Sequence, residues 1–177
     1  MLYRLLMVII LFTGVSLVQA QSDFKYIGAN KCKTCHKKPK TGEQFKIWKE
    51  GPHADAYNML SSEKALKVAK EKGIADPSKA EECLKCHSTY FKHKDQLDKK
   101  TKLTLEEGVS CESCHGPGSA YKKKKIMKDQ KLAISKGLII PDEKTCQKCH
   151  NENSPTMKEF DFEKAKDKIK HPRPKKK

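Results

Sequence analysis

Helical periodicity in this chain comes in short stretches separated by polar or lysine-rich runs. Residues 22–31 read as an irregular lead. Thr41-Gly42-Glu43-Gln44 predicts a capping box, in which the Thr hydroxyl and the Gln side chain each satisfy a free backbone donor. Phe45 and Trp48 then share one face. Gly51-Pro52 interrupts this helix, and a second pattern starts at His53, with Ala56, Tyr57 and Leu60 at helical spacing. The pattern resumes over residues 65–69, and Asp76-Pro77 predicts the cap and first turn of another short helix. Residues 92–107 are polar and predict a loop. Gly116-Pro117-Gly118 cannot continue a helix, and its glycines let the backbone lie against a large planar group. Asp161 predicts the cap of a last helix carrying Phe162, Ala165 and Ile169 on one side, ended by Pro172. No segment has the strict alternation of a strand, so the expectation is one mostly α domain with long loops.

The first twenty residues change the picture of where the chain works. Arg4 precedes an apolar run from Leu5 to about Val18, and Val18-Gln19-Ala20 stands before Gln21. This is the pattern of a secretory signal peptide with a small-residue cleavage site. A retained membrane anchor is the alternative, but the run is shorter than the roughly 18–20 residues that span a bilayer. No cysteine follows the cleavage site to carry a lipid. The expected organisation is a signal peptide over 1–20, one domain over 21–174 and a basic tail over 175–177, with the mature chain in a periplasm or outside the cell and no membrane span left after cleavage.

The cysteines then define the chemistry. All eight fall into four copies of one pattern, CKTCH, CLKCH, CESCH and CQKCH. Cys32 and Cys35 precede His36, Cys83 and Cys86 precede His87, Cys111 and Cys114 precede His115, and Cys146 and Cys149 precede His150. Cys-x-x-Cys-His reads as a c-type haem attachment site. Two thiols three positions apart form thioethers with one porphyrin, and the next imidazole becomes the proximal iron ligand. Zinc sites and disulfide frameworks also use paired cysteines, yet neither requires a histidine after the second one. The expected cofactors are therefore four covalently bound haems c. The spacings of 51, 28 and 35 residues between successive proximal histidines are too irregular for a solenoid of equal repeats. Without residues 1–20 the 177-residue chain is 157 residues long, too little to bury a large protein-only core. The porphyrins are expected to form much of the core, as metals and disulfides do in other small scaffolds.

The chain resembles the cytochrome c-554 type of multihaem cytochrome c. The resemblance is carried by YIGANKCKTCH at the first site, Trp48 followed by HADAY up to Tyr57, GVSCESCHGPGS at the third site, and TCQKCH followed by a phenylalanine-bearing C-terminal helix. It implies a mainly helical fold around four haems packed in stacked and perpendicular pairs. It also implies electron transfer, which in the best-known type follows hydroxylamine oxidation. Three haems of that family have two histidine ligands, and the second has an open sixth position.

Seven histidines minus the four proximal ones leave His53, His93 and His171. Three spare histidines cannot complete four irons within one chain. His53 shares a helical face with Tyr57 and Leu60 and so faces the packed side; the resemblance places it opposite His150. The resemblance likewise places His171, at the end of the last helix, opposite His115. His93 follows His87 by only six residues, and ligation of another haem, of a haem in a neighbouring chain, or of none all stay open. The family's first haem takes a histidine from just after the GPGS turn, where this chain has YKKKKIMKDQ. Met127 is a candidate substitute opposite His36, against the alternative of a packed methionine.

Charge narrows the partners. The formal net charge is +16, with lysines clustered at 31–40, 122–125 and 164–177. Eight propionates would bring the mature chain to about +7. Such a surface favours redox proteins with acidic docking faces and fast, salt-sensitive encounter. No nucleic-acid motif accompanies the charge. The expected function is an exported electron carrier between redox proteins of the cell envelope. Two alternatives stand beside it: a small reductase of nitric oxide or another nitrogen oxide at an open haem, and an oligomer in which His93 ligates a neighbouring subunit's haem to build a conducting filament.

Overall fold

The computed structural model describes residues 23–157 and 159–172. The proposed signal peptide and basic tail lie outside them. Among the described residues ten short helices follow one another: α1 (Ala29–His36), α2 (Gln44–Lys49), α3 (Glu63–Glu71), α4 (Glu81–His87), α5 (Thr89–Lys92), α6 (Cys111–His115), α7 (Lys124–Met127), α8 (Gln130–Ser135), α9 (Glu143–Gln147) and α10 (Phe162–Ile169). Four 3₁₀ turns lie between them. Among the described residues the only β pairing is an isolated parallel bridge between Tyr26 and Leu97. The fold is mostly α, as the patterning predicts.

Caps account for several helix starts. Asp161 accepts from the Lys164 N–H at 3.0 Å and starts α10, and Ser62 caps α3 through the Ala65 N–H. Asp142 and Thr145 close a reciprocal box at α9. The box expected at Thr41 does not form. Thr41 sits in a 3₁₀ turn, and its hydroxyl donates back to the carbonyls of Cys35 at 2.7 Å and Lys38 at 2.8 Å. Glu43 takes a left-handed φ of 51° before α2, so Gln44 opens the helix and its side chain is free for other partners. Residues 53–57 form turns where the spacing predicts a helix. The His53 carbonyl, which a helix would give to Tyr57, instead accepts from Val109 N–H at 2.8 Å and Ala56 N–H at 3.3 Å. Asp76 caps a turn through Ser78 N–H at 2.9 Å, and α4 begins only at Glu81.

The protein-only core is thin. Its buried apolar residues are Tyr26, Ile27, Ala29, Ala54, Leu60, Ala69, Leu84, Leu103, Tyr121 and Ala133. Four of these are alanines, which contribute little apolar area. Larger apolar side chains, among them Leu132, Ile134, Ile139 and Ile140 between the third and fourth cysteine motifs, stay exposed. No helix among the described residues is long and apolar enough to cross a membrane.

Candidate haem-attachment sites

Each of the first three Cys-x-x-Cys-His motifs lies on a helix and ends it: α1, α4 and α6 all close on the histidine. In helical geometry, positions i, i+3 and i+4 share one face, so both thiols and the imidazole point the same way. In the fourth motif Cys146 lies within α9, and Cys149 N–H and His150 N–H both bond back to the Cys146 carbonyl. All eight thiols are free. No group of three or more His, Cys, Asp or Glu side chains among the described residues is gathered as a metal cage, which is the arrangement a structural zinc site needs.

Three of the proximal rings are oriented by their Nδ1 atoms. His87 Nδ1 lies 2.6 Å from the Ala56 carbonyl oxygen, and His115 Nδ1 lies 3.2 Å from that of Ile139. His36 Nδ1 lies 3.1 Å from Gln44 Oε1. The Gln44 amide is fixed in turn, because its nitrogen donates to the carbonyls of Thr41 and Pro172. Every acceptor here is a carbonyl-type oxygen, so Nδ1 is the donor nitrogen and Nε2 is the one left to face a metal. This is the tautomer a metal-ligating histidine uses, fixed by an outer partner.

The spare histidines divide. His53 lies with its ring centroid 6.0 Å from that of His150, and His171 lies 5.8 Å from His115. Two iron–nitrogen bonds of about 2 Å each, with the ring radii added, separate facing imidazole centroids by about 6 Å. Burial lowers the pKa of His53, His115, His150 and His171, and the neighbouring histidine lowers His53 and His171 further. Each of these shifts favours the neutral form, which is the ligating one. His150 also stacks on Phe160, with centroids 5.1 Å apart. His93 is elsewhere: its ring stacks on Tyr26 at 3.9 Å and 14°, and burial brings its pKa down to about 4. Met127 is half-buried at the end of α7.

The motifs themselves are brought together in pairs. The neighbouring Cys32 thiol, together with burial, pushes the pKa of the Cys111 thiol up. Cys86 and Cys149 are paired in the same way, which pulls Cys86 down to about 6 and pushes Cys149 up. Cys114 is close enough to Cys146 for the two to interact electrostatically, which adds to the rise that burial gives its thiol. These thiol interactions link the motifs in the order first, third, fourth, second.

A buried carboxylate that sequence reasoning passes over binds two of these motifs. Glu112, between the attachment cysteines of the third motif, is 1% exposed. Its Oε1 accepts from Ile27 N–H at 3.0 Å and Gly118 N–H at 2.6 Å, and its Oε2 from Ile27 N–H at 3.0 Å and Gly28 N–H at 2.7 Å. Glu107 adds a bond from Ala29 N–H at 2.8 Å. The start of α1, which has no side-chain cap from its own segment, is thus capped by two carboxylates from far along the chain. Burial pushes the Glu112 pKa up, against the pull of the Gly118, Gly28 and Ile27 donors. The turn after the third motif packs on the same group, since a Cβ at Gly118 would lie 2.9 Å from Ile27 Cδ1 and 3.1 Å from Glu112 Oε1.

The family model described as "Cytochrome c554 and c-prime" matches residues 31–116, a span that holds the first three motifs. Cytochrome c-554 of Nitrosomonas europaea is 32% identical over 155 residues, covering 79% of this chain and 63% of that protein. The chain belongs to the cytochrome c-554 family. Membership in this cytochrome c family makes covalently attached haem c its cofactor. The chain spans slightly less than two thirds of the Nitrosomonas cytochrome's length. No solved structure matches it.

Proposed function

We propose that this cytochrome c-554 family member is an exported tetrahaem electron carrier that passes electrons, one per iron, between redox proteins of the cell envelope. Cys32, Cys35, Cys83, Cys86, Cys111, Cys114, Cys146 and Cys149 anchor four porphyrins. His36, His87, His115 and His150 are the proximal ligands, and His53 and His171 the distal ligands of the fourth and third irons. The haems supply reversible one-electron chemistry; the chain fixes their ligands, their order and their exclusion from water. The observation that carries this reading is the pairing of His53 with His150 and His115 with His171 at 6.0 and 5.8 Å. The adjacency of the motifs supports an electron path in the order first, third, fourth, second. The exposed Leu132, Ile134, Ile139 and Ile140 suit a chain that lays apolar side chains on porphyrin edges. A lysine-rich surface suits acidic partners.

Those two pairs and the His93–Tyr26 stack account for all the spare histidines, so His36 and His87 have no second histidine of this chain. This favours a second activity, binding and reduction of nitric oxide or a related nitrogen oxide at one of those irons. The electron paramagnetic resonance spectrum of the oxidised protein, loaded with haem as counted by pyridine haemochrome, tests both readings. Two low-spin irons with two histidine ligands are expected beside two of other ligation. Four low-spin centres with paired histidines would sink the ligand assignment, and fewer than four haems would sink the tetrahaem reading itself.

A further inference from the structure

Of the four motifs, only CESCH carries an acidic residue between its cysteines; the others place Lys33 and Thr34, Leu84 and Lys85, and Gln147 and Lys148 there. An isolated buried carboxylate is costly unless hydrogen bonds compensate it. Here both oxygens of Glu112 are occupied by N–H donors, so a carboxyl proton would find only donors around it. The arrangement is that of a carboxylate. Its partners Ile27 and Gly28 lead straight into the helix that carries Cys32, while Glu112 itself follows Cys111, so one carboxylate joins the two attachment segments. We propose that Glu112 is the positioning residue that locks the first and third haem-attachment segments together and stands a fixed negative charge beside that pair of haems. This deepens the tetrahaem reading and rests on it.

Two consequences follow from the charge and the geometry. A carboxylate shielded from solvent is screened weakly, so it stabilises the more positive ferric state of nearby irons and holds their potentials down. It also ties the first segment to the third through the backbone donors of Ile27 and Gly28, and its own segment's turn through that of Gly118, so the spacing of their haems does not depend on flexible side chains. The haems attached at Cys83/Cys86 and Cys146/Cys149 lie on the other paired motifs and are expected to feel less of it.

The test is a potentiometric titration of the haem-loaded protein, followed by absorbance and electron paramagnetic resonance, for the unsubstituted chain, E112Q and E112D. Haem stoichiometry is measured first; fewer than four haems in the unsubstituted protein would fail the tetrahaem reading and not the role of Glu112. With four haems present, E112Q is expected to raise two of the four midpoint potentials, and E112D, which keeps the charge, to lie closer to the unsubstituted protein. Four unchanged potentials in E112Q, or an equal shift of all four, would overturn the proposal. Should E112Q fail to accumulate, amide exchange of the unsubstituted holoprotein decides. Slow exchange at Ile27, Gly28 and Gly118 supports the clamp, and exchange as fast as at the exposed Lys99 and Lys102 refutes it.

Discussion

Gly108→Ala probes the proposed fourth haem without touching a ligand. Gly108 has φ 64° and ψ −138°, a conformation that costs a residue with a Cβ about 1–3 kcal/mol. A Cβ there would also stand 2.7 Å from the His53 carbonyl oxygen and 2.9 Å from that of Ala54. Both obstacles are backbone atoms and cannot swing aside as a long side chain would. To reach the 3.4 Å of ordinary contact the His53 carbonyl must retreat by 0.7 Å. That exceeds the roughly 0.5 Å within which a functional constellation must be held, and Val109 N–H, on the adjoining residue, bonds to the same carbonyl at 2.8 Å. The expected result is loss of His53 from its iron, read as one low-spin iron per chain converted to high-spin relative to the unsubstituted oxidised holoprotein, together with a lower melting temperature. Gly73→Ala is the control: φ is +68° but nothing lies within 4 Å of the added Cβ, so it carries the backbone strain alone. A Gly108→Ala protein with the same low-spin intensity and melting temperature as Gly73→Ala would refute the link between this turn and His53.

Two further substitutions separate ligand from packing histidines. His171→Ala is expected to convert one low-spin iron to high-spin while the other three signals persist, because its ring sits 5.8 Å from His115; an unchanged spectrum would remove His171 from the ligand set. His93→Phe keeps an aromatic face on Tyr26 and is expected to leave the haem spectra and the solution mass unchanged. Loss of a low-spin signal, or dissociation of an assembly, would instead put His93 on an iron of its own or a neighbouring chain.

What could be read from the sequence was local. The four attachment motifs are contiguous, so their helical face follows from spacing alone, and Asp161 with Phe162, Ala165 and Ile169 announces α10 through cap and periodicity. Failures arose where a distant segment claimed a group that local pattern assigned elsewhere. The His53 carbonyl is taken by Val109, so the helix implied by His53, Ala56, Tyr57 and Leu60 becomes a series of turns. Gln44 is drawn to His36 and to the Pro172 carbonyl, 128 residues away, which leaves Thr41 without its box partner. Glu112 left no side-chain signal at all, because its partners are backbone N–H groups, two of them 84 and 85 residues earlier and one six residues later, and every residue but proline carries one. Helices α7 and α8 were hidden by their length, since four and six residues are too few to show a helical period.

The thin core makes the strongest global prediction. Polar clamps such as Glu112 set geometry but yield modest net stability, because the same groups are satisfied by water in the unfolded chain. Apolar burial must therefore carry the fold, and of the ten buried apolar residues among those described four are alanines. Ordering the backbone costs about 1–2 kcal/mol per residue, so the remaining Ile, Leu and Tyr side chains do not suffice alone. The missing apolar surface has to come from porphyrin held by the eight cysteines, and binding confined to the folded state then becomes folding free energy. Chain produced without haem attachment is expected to show a largely disordered far-ultraviolet circular dichroism spectrum and rapid proteolysis, while the haem-loaded form is helical and resistant. A compact, helical, protease-resistant apoprotein would show that the clamps and the small apolar core fold the chain by themselves, and that haem is cargo instead of core.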